Sequence, residues 1–314
     1  RFFDKNEVSK IYERLKSEKD AIVIDLTKKE FYQEPPAPFD LTSLQLESYR
    51  VFGITPKQTL SIAQELYTSA YISYPRTSSN QLPESLDYKE IIKEMGKQKQ
   101  YEILAKQLLL KKDLKPNNGK KTDSAHPAIY PTGEIPKKLG ERERKIYDLI
   151  VKRTLATFSE KAKRETVTIE SEIKKEPFVS KGTRTVEKGW HSFYEPYLKL
   201  EEIEMPNLKK NDKINIKKIN KLEKETTPPR RFSEASIIKE LESKNLGTKA
   251  TRASIIEALY LRDYIKEKSI EVTDLGIKTI DVLKKYSPEI IDEHLTRHFE
   301  EEMEQIREGK RKSD

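Results

Sequence analysis

The chain has 314 residues, 36% charged and 35% hydrophobic, with a formal net charge of +8 and a pI near 9.1; that length suffices for two or three domains with a buried core, and the cationic balance favours a polyanionic partner. The absence of cysteine excludes disulfides and cysteine-ligated zinc. No run approaches the ~18 apolar residues of a membrane span and no signal peptide is legible, so no membrane partner is expected and the cytoplasm is the simplest location.

The sequence opens Arg-Phe-Phe-Asp-Lys, without an initiator methionine, and reads as a piece of a longer polypeptide. Residues 5–18 carry Val8, Ile11, Tyr12 and Leu15 on one helical face. Residues 21–33 (AIVIDLTKKEFYQ) are β-branched and alternating, which predicts one long strand. The run Pro35-Pro36-Ala37-Pro38 stops that strand and marks a domain boundary. Helices are predicted at 41–52 and 56–69, the second with Thr55 as cap and Pro56 at its first position.

The extended segment YISYPRT follows, and loops and helices fill 80–160. Within them, the Lys-, Asn- and Gly-rich stretch 111–122 is expected to be a mobile surface loop. From 161 to 226 the pattern turns to strands: RETVTIESEI, PFVSKGTRTVE and KINIKKINKLEKE. Thr227-Pro228-Pro229 punctuates again before a mostly helical remainder. The expected fold class is therefore multi-domain α+β. Residues 1–34 and 161–228 form one discontinuous β-rich domain, 35–160 a helical insertion, and 229–314 a second helical domain.

In that last domain Ser233 caps a helix over 233–244, with Ser236 where a full capping box would have Glu or Gln. Asn245-Leu246-Gly247 turns into a second helix, KATRASIIEALYLR, and residues 264–265 and 270–272 flank a short basic turn. Helix, turn, helix and wing in that order predict a winged-helix unit. Thr248, Lys249, Thr251 and Arg252 cluster where free backbone N–H groups and the helix dipole favour a phosphate. A capped surface helix, or a protein-binding winged helix, explains the same residues.

In Ile72-Ser73-Tyr74-Pro75-Arg76-Thr77, proline pushes Tyr74 into extended backbone and removes a donor, so Tyr74 is expected at a strand end or sheet edge. Positions two apart then share a face, which turns Tyr74 and Arg76 the same way, with Thr77 and Ser78 beside them. A phenol attacking a phosphodiester needs a neighbouring cation, and arginine's planar fork matches phosphate oxygens. A tyrosine–phosphate ester would hold a broken strand for resealing without an external energy source. An ordinary structural edge is the competing explanation.

Three segments in this order resemble type IA DNA topoisomerases, most of all the archaeal enzymes: QELYTSAYISYPRTSS (64–79), TDSAHPAIYPT (122–132) and PPRRFSEASIIKELESKNLGTKATRASII (228–256). The resemblance implies a ring built from a β-rich arch, a hinged domain bearing the tyrosine, and helical winged-helix (CAP-like) domains. It implies Tyr74 as the nucleophile that joins a 5′-phosphate and Arg76 as the residue positioning the scissile phosphate. It further implies His126 beside the bound strand and Thr251 on its backbone, with Gln64, Tyr67, Thr77, Lys249 and Arg252 as further DNA contacts. The implied partner is single-stranded or negatively supercoiled DNA, in a nucleoid-associated setting.

Many relatives carry Asp where this chain has Ser78. No Asp-x-Asp pair occurs in the sequence, so the acidic Toprim domain and its Mg²⁺ site are expected to be supplied by a separate domain or subunit; no ATP is implied. The topoisomerase portion of a reverse gyrase and a non-catalytic winged-helix DNA-binding protein are the rival assignments. His294 and His298, four apart on a charged helix, read as a solvated face rather than a metal pair, and Trp190 reads as a packing anchor.

Overall fold

The computed structural model describes residues 2–307 and 309–311. In chain order its elements are α1 (Lys5–Leu15), β1 (Asp20–Gln33), α2 (Leu41–Phe52), α3 (Pro56–Thr68), α4 (Tyr88–Met95), α5 (Glu102–Leu109) and α6 (Glu141–Thr157). There follow β2 (Ala162–Ile173), β3 (Glu176–Glu187), the single turn α7 (His191–Tyr194), β4 (Lys213–Asn215), α8 (Glu234–Ser243) and α9 (Arg252–Leu261). The chain closes with β5 (Ile265–Lys266), β6 (Glu271–Val272), α10 (Asp274–Tyr286), a 3₁₀ turn at Pro288–Ile291 and α11 (Glu293–Arg307). No helix among the described residues is long and apolar enough to cross a membrane.

Two compact units result. One joins Arg1–Pro35, Glu160–Ser192 and Leu198–Pro229; the other joins Pro36–Ser159, Phe193–Tyr197 and Arg230–Asp314. The first is built on an antiparallel sheet of order β3-β2-β1-β4. Strand β1 pairs with β2 along nearly its whole length, from Ile22↔Glu172 to Gln33↔Ala162, with one register shift between Val23 and Asp25. A two-residue turn closes the β2–β3 hairpin, with Lys174 at φ 48° and Lys175 at φ 67°. Two left-handed residues give the turn a twist that matches the strands.

The sheet buries Val23, Val167 and Ile169 under Met205 and Leu208, while Leu15 of α1 packs on Ala21 and Ile173. Trp190 is buried and its indole N–H donates to Gln33 O at 3.1 Å, which makes it a packing anchor. The expected third strand over 213–225 is cut to Lys213–Asn215. Beyond it, Ile216 and Ile219 lie against the cluster around Leu15, so their alternation serves packing rather than a ladder.

The second unit is helical. Asp40 caps α2 by accepting Ser43 N–H at 2.6 Å, and Thr55 caps α3 by accepting Gln58 N–H at 3.2 Å, with Pro56 at the first position. Helices α2, α3 and α6 pack together around Leu44, Leu60, Ala63, Leu66, Ile146 and Ile150, each buried. Ile238 of α8, Ala253 and Ile256 of α9, and Ile265 of β5 form a smaller core, with β5 and β6 paired as a ribbon. Helix α8 packs on α2 and α9 on α3.

Two expectations change here. The capping box at α8 is complete, because Ser236 Oγ accepts Ser233 N–H at 2.7 Å while Ser233 Oγ accepts Ser236 N–H at 3.3 Å. The stretch 111–122 is pinned by named bonds. Asn117 N–H donates to Thr157 O, the Asn118 amide pairs with both backbone groups of Leu82, and Gly119 and Lys121 N–H bond to Asn80.

Candidate functional site

The tyrosine segment is extended yet belongs to no sheet, so the expected strand edge is replaced by a local clasp. Ser73 N–H donates to Tyr130 O at 2.9 Å, Tyr130 N–H donates to Ser73 Oγ at 3.0 Å, and Ser73 Oγ donates to Ala128 O at 3.1 Å. Single antiparallel bridges join Ile72 to Pro131 and Phe39 to Ile129. Pro75, which has no N–H to offer a ladder, sits inside this clasp without leaving a donor unpaired.

The two-residue period sorts the side chains. Tyr74, Arg76, Ser78 and Asn80 are half-buried, whereas Pro75, Thr77 and Ser79 between them are buried. Tyr74 and Arg76 thus share the more open face. The Tyr74 ring meets Tyr67 edge-on at 5.2 Å between centroids and His126 at 4.4 Å with a 49° tilt. Arg76 Nε is buried and has no hydrogen-bond partner among the described residues. An unmade bond of that kind is costly unless a ligand completes it. Gln64 lies half-buried on α3, one turn before Tyr67, which is 39% exposed.

Thr77 stands apart from the DNA contacts expected around it. It is 0% exposed, its hydroxyl donates to His126 O at 3.1 Å and accepts Ser79 N–H at 3.0 Å, and its carbonyl accepts Leu41 N–H. The hydroxyl and carbonyl of Thr77 thus hold backbone, and its side chain is not free to meet a phosphate.

Asp123 was not singled out by sequence reasoning, although it lies inside the TDSAHP segment. Its Oδ1 accepts Ala125 N–H at 3.0 Å and His126 N–H at 3.3 Å, while Oδ2 accepts both Ser78 N–H and Ser78 Oγ–H at 3.0 Å. Lys249 Nζ forms an ion pair with the same Oδ2, and the Asp123 side chain is only 3% exposed. Burial pushes this carboxyl up, but the Lys249 ammonium and the Ser78 and Ala125 amides outweigh it and hold the group well below the usual carboxylate range. One carboxylate therefore fixes the tyrosine segment, the histidine loop and the start of α9 together.

At that start, Asn245 (φ 54°) and Gly247 (φ 63°) reverse the chain after α8, and α9 begins only at Arg252, not at Lys249. Thr251 Oγ1 accepts Thr248 N–H at 2.9 Å, which occupies one of the amides expected to be open to a phosphate. Arg252 also departs from expectation. It is buried, with Nε donating to Leu246 O at 3.0 Å and a terminal amino group donating to Gly247 O at 2.9 Å. Its fork is spent on the turn. Thr248, Lys249 and Thr251 remain the polar side chains of this cluster on the open side, Thr248 and Thr251 exposed and Lys249 half-buried.

Against known proteins, the family model described as DNA topoisomerase matches residues 1–314. The chain belongs to the type IA DNA topoisomerase family. It is 49% identical over its full length to DNA topoisomerase 1 of Methanocaldococcus jannaschii, of which it covers 41%. It is 46% identical over 99% of its length to DNA topoisomerase 1 of Methanothermobacter thermautotrophicus, of which it covers 43%. Among solved structures, full-length topoisomerase I from Thermotoga maritima superposes with a TM-score of 0.79 at 25% identity, over 99% of this chain and 52% of that one. The chain thus spans about two fifths of the length of the curated topoisomerases it matches.

The family's Mg²⁺ finds no fit in this stretch of a topoisomerase, since no three His, Cys, Asp or Glu side chains among the described residues converge as ligands. Asp123 is saturated by protein donors, and His298 Nε2 lies 3.1 Å from Glu302 on α11. His294 Nδ1 lies 3.4 Å from an Arg297 amino group, as befits a charged surface helix.

Proposed function

We propose that this chain is the DNA-gripping and DNA-cleaving body of a type IA topoisomerase. In this reading the β-rich residues 1–34 and 161–228 are the arch, 35–160 carry the nucleophile, and 229–314 are the winged-helix DNA-binding part. Tyr74 Oη attacks a phosphodiester of single-stranded DNA. As its bond to phosphorus forms, the bond to the 3′ oxygen breaks, and the 5′-phosphate stays on the tyrosine. Attack by the freed 3′-hydroxyl reverses the exchange, so bond energy is conserved across strand passage and relaxation of negatively supercoiled DNA needs no ATP.

The observation that carries the reading is the pairing on one open face of Tyr74, held between Tyr67 and His126, with Arg76, whose buried Nε lacks a partner. A phosphate bound there would complete that arginine, and the guanidinium would spread the charge that develops on phosphorus. His126, in contact with the tyrosine ring, can bond a phosphate oxygen or receive the phenolic proton. Tyr67 and Gln64 extend the surface along α3, and Lys249 and Thr251 offer backbone contacts. No cluster of His, Cys, Asp and Glu among the described residues fits the acidic Mg²⁺ chemistry, which the reading assigns to a Toprim domain or subunit.

The test is covalent attachment. Labelled single-stranded DNA is incubated with Mg²⁺ and the chain completed by a Toprim domain, then denatured and resolved on a gel. An adduct that disappears with Tyr74→Phe while DNA binding persists supports the assignment. An adduct that survives Tyr74→Phe would show that another residue is the nucleophile.

A further inference from the structure

Asp123 has more partners than it needs, and Lys249 has fewer. Four donors from Ser78, Ala125 and His126 already satisfy the carboxylate without Lys249. Lys249 carries three N–H donors, keeps 29% of its side chain exposed, and has Asp123 as its one ionic partner among the described residues. In the same unit Lys121 also meets a buried carboxylate, Asp40 at 2% exposed, but it shares that contact with Glu242, whereas the Lys57–Glu257 carboxylate is 42% exposed. The Asp123 pair thus sets a buried anion against a cation in the turn before α9 that, among the described residues, has no second acidic partner.

Resting on the reading of that turn as a DNA contact, we propose that Asp123 stands in for a DNA phosphate: it holds Lys249 while no strand is bound and yields it to the backbone of an arriving one. The exchange is feasible because the carboxylate left behind keeps its four other donors, so losing the lysine does not strand an unpaired buried charge. It also has a structural consequence. Asp123 stays bonded to Ser78 and to the His126 loop, so a strand that takes Lys249 releases the tyrosine segment from the start of α9. Binding at the helical end is thereby linked to freedom at Tyr74.

The exchange leaves an imprint on salt dependence. A free lysine that meets a phosphate releases a counterion and steepens the slope of log affinity against log salt by about 0.7 for single strands. A lysine surrendered by a carboxylate contributes little, because the carboxylate recruits a cation as the phosphate sheds one. The measurement is fluorescence anisotropy of a labelled oligothymidine with the full chain across a series of NaCl concentrations. Four proteins are compared: the parent, Asp123→Asn, Lys249→Gln and the double variant.

The proposal expects Asp123→Asn to bind about fivefold tighter at low salt, with a slope steeper by about 0.7. It expects no such gain when Lys249 is already glutamine. If Asp123→Asn binds no tighter, or gains equally in the Lys249→Gln background, the proposal is overturned, the second result marking a general charge effect. Asp123→Ser, whose hydroxyl can still accept the Ala125 N–H, replaces Asp123→Asn if the latter does not fold. Failure of both to fold would make the carboxylate a folding element and overturn the exchange. Absence of salt-dependent binding by the parent chain would instead sink the DNA reading itself.

Discussion

Replacing Thr77 by valine separates a DNA contact from a structural clasp. Valine matches the shape of threonine but removes the hydroxyl that donates to His126 O at 3.1 Å and accepts Ser79 N–H at 3.0 Å. Thr77 is 0% exposed, so water cannot replace either bond. A buried backbone group left without a partner costs about 1–3 kcal/mol, and two of them predict a loss of about 2–6 kcal/mol. Thr77→Ser keeps both bonds and loses one methyl, a loss of about 1 kcal/mol. The assay is chemical denaturation followed by helical circular dichroism, because the single tryptophan, Trp190, lies in the β-rich unit and would report the wrong one. Under conditions where it is folded, Thr77→Val should bind single-stranded DNA with a salt slope equal to the parent's. A valine variant as stable as the serine variant, with a flatter slope, would refute the clasp and return Thr77 to the DNA surface.

Three further outcomes follow from the same geometry. In the completed enzyme Arg76→Ala should lower covalent attachment by about 10²–10³-fold and Arg76→Lys should restore it only in part, since lysine keeps the charge without the fork; undiminished adduct on the gel would remove Arg76 from the phosphate site. Arg252→Ala should destabilise the helical unit by about 2 kcal/mol or more, because Leu246 O and Gly247 O each lose a charged donor; weaker DNA binding at unchanged melting would restore Arg252 as a contact. Burial pushes the Tyr147 phenol up to about 12 and raises Tyr101, Tyr194 and Tyr197 further. Because the folded chain holds these protons more tightly than an unfolded one, whose phenols titrate near 10, that stability is complete below about pH 10 and lost as pH rises through 12. Phenolate absorbance that reaches the full value for all 15 tyrosines near pH 10 with no accompanying loss of helix would contradict this.

Much of the fold was legible because strong periodicity and punctuation coincide. The span 41–52 became α2, Thr55 and Pro56 open α3 as expected, and the strand of 21–33 pairs with the β2 segment across the helical insertion. The failures share a cause. In KINIKKINKLEKE the alternation is real, but only three residues find a strand partner, since Ile216 and Ile219 are drawn onto the apolar cluster beside α1. At 111–122 composition suggested mobility, whereas Asn80, Leu82 and Thr157, distant in sequence, supply the bonds that pin it. Periodicity sees neighbours along the chain; it does not see a partner 40 residues away.

At the candidate site the two-residue period that turns Tyr74 and Arg76 to the open face also turns the Thr77 side chain inward. A period of two that turns residues 74 and 76 to the open face must turn 75, 77 and 79 inward, and those are the buried positions. Thr77 entered as a further DNA contact with the family resemblance, which carries no information about which way its side chain turns. Asp123 gave no signal of its own, as an acidic residue in a basic chain expected to bind an anion. Yet a side chain on irregular backbone, such as Tyr74, needs something other than a ladder to hold it, and backbone donors there require a buried acceptor. Asp123, flanked by Thr122 and Ser124 and three residues before His126, is where an Asx turn supplies one. The polar residues around Tyr74 therefore divide by parity and turn chemistry, and the side chains of Thr77, Asp123 and Arg252 are bonded to backbone of the surrounding frame.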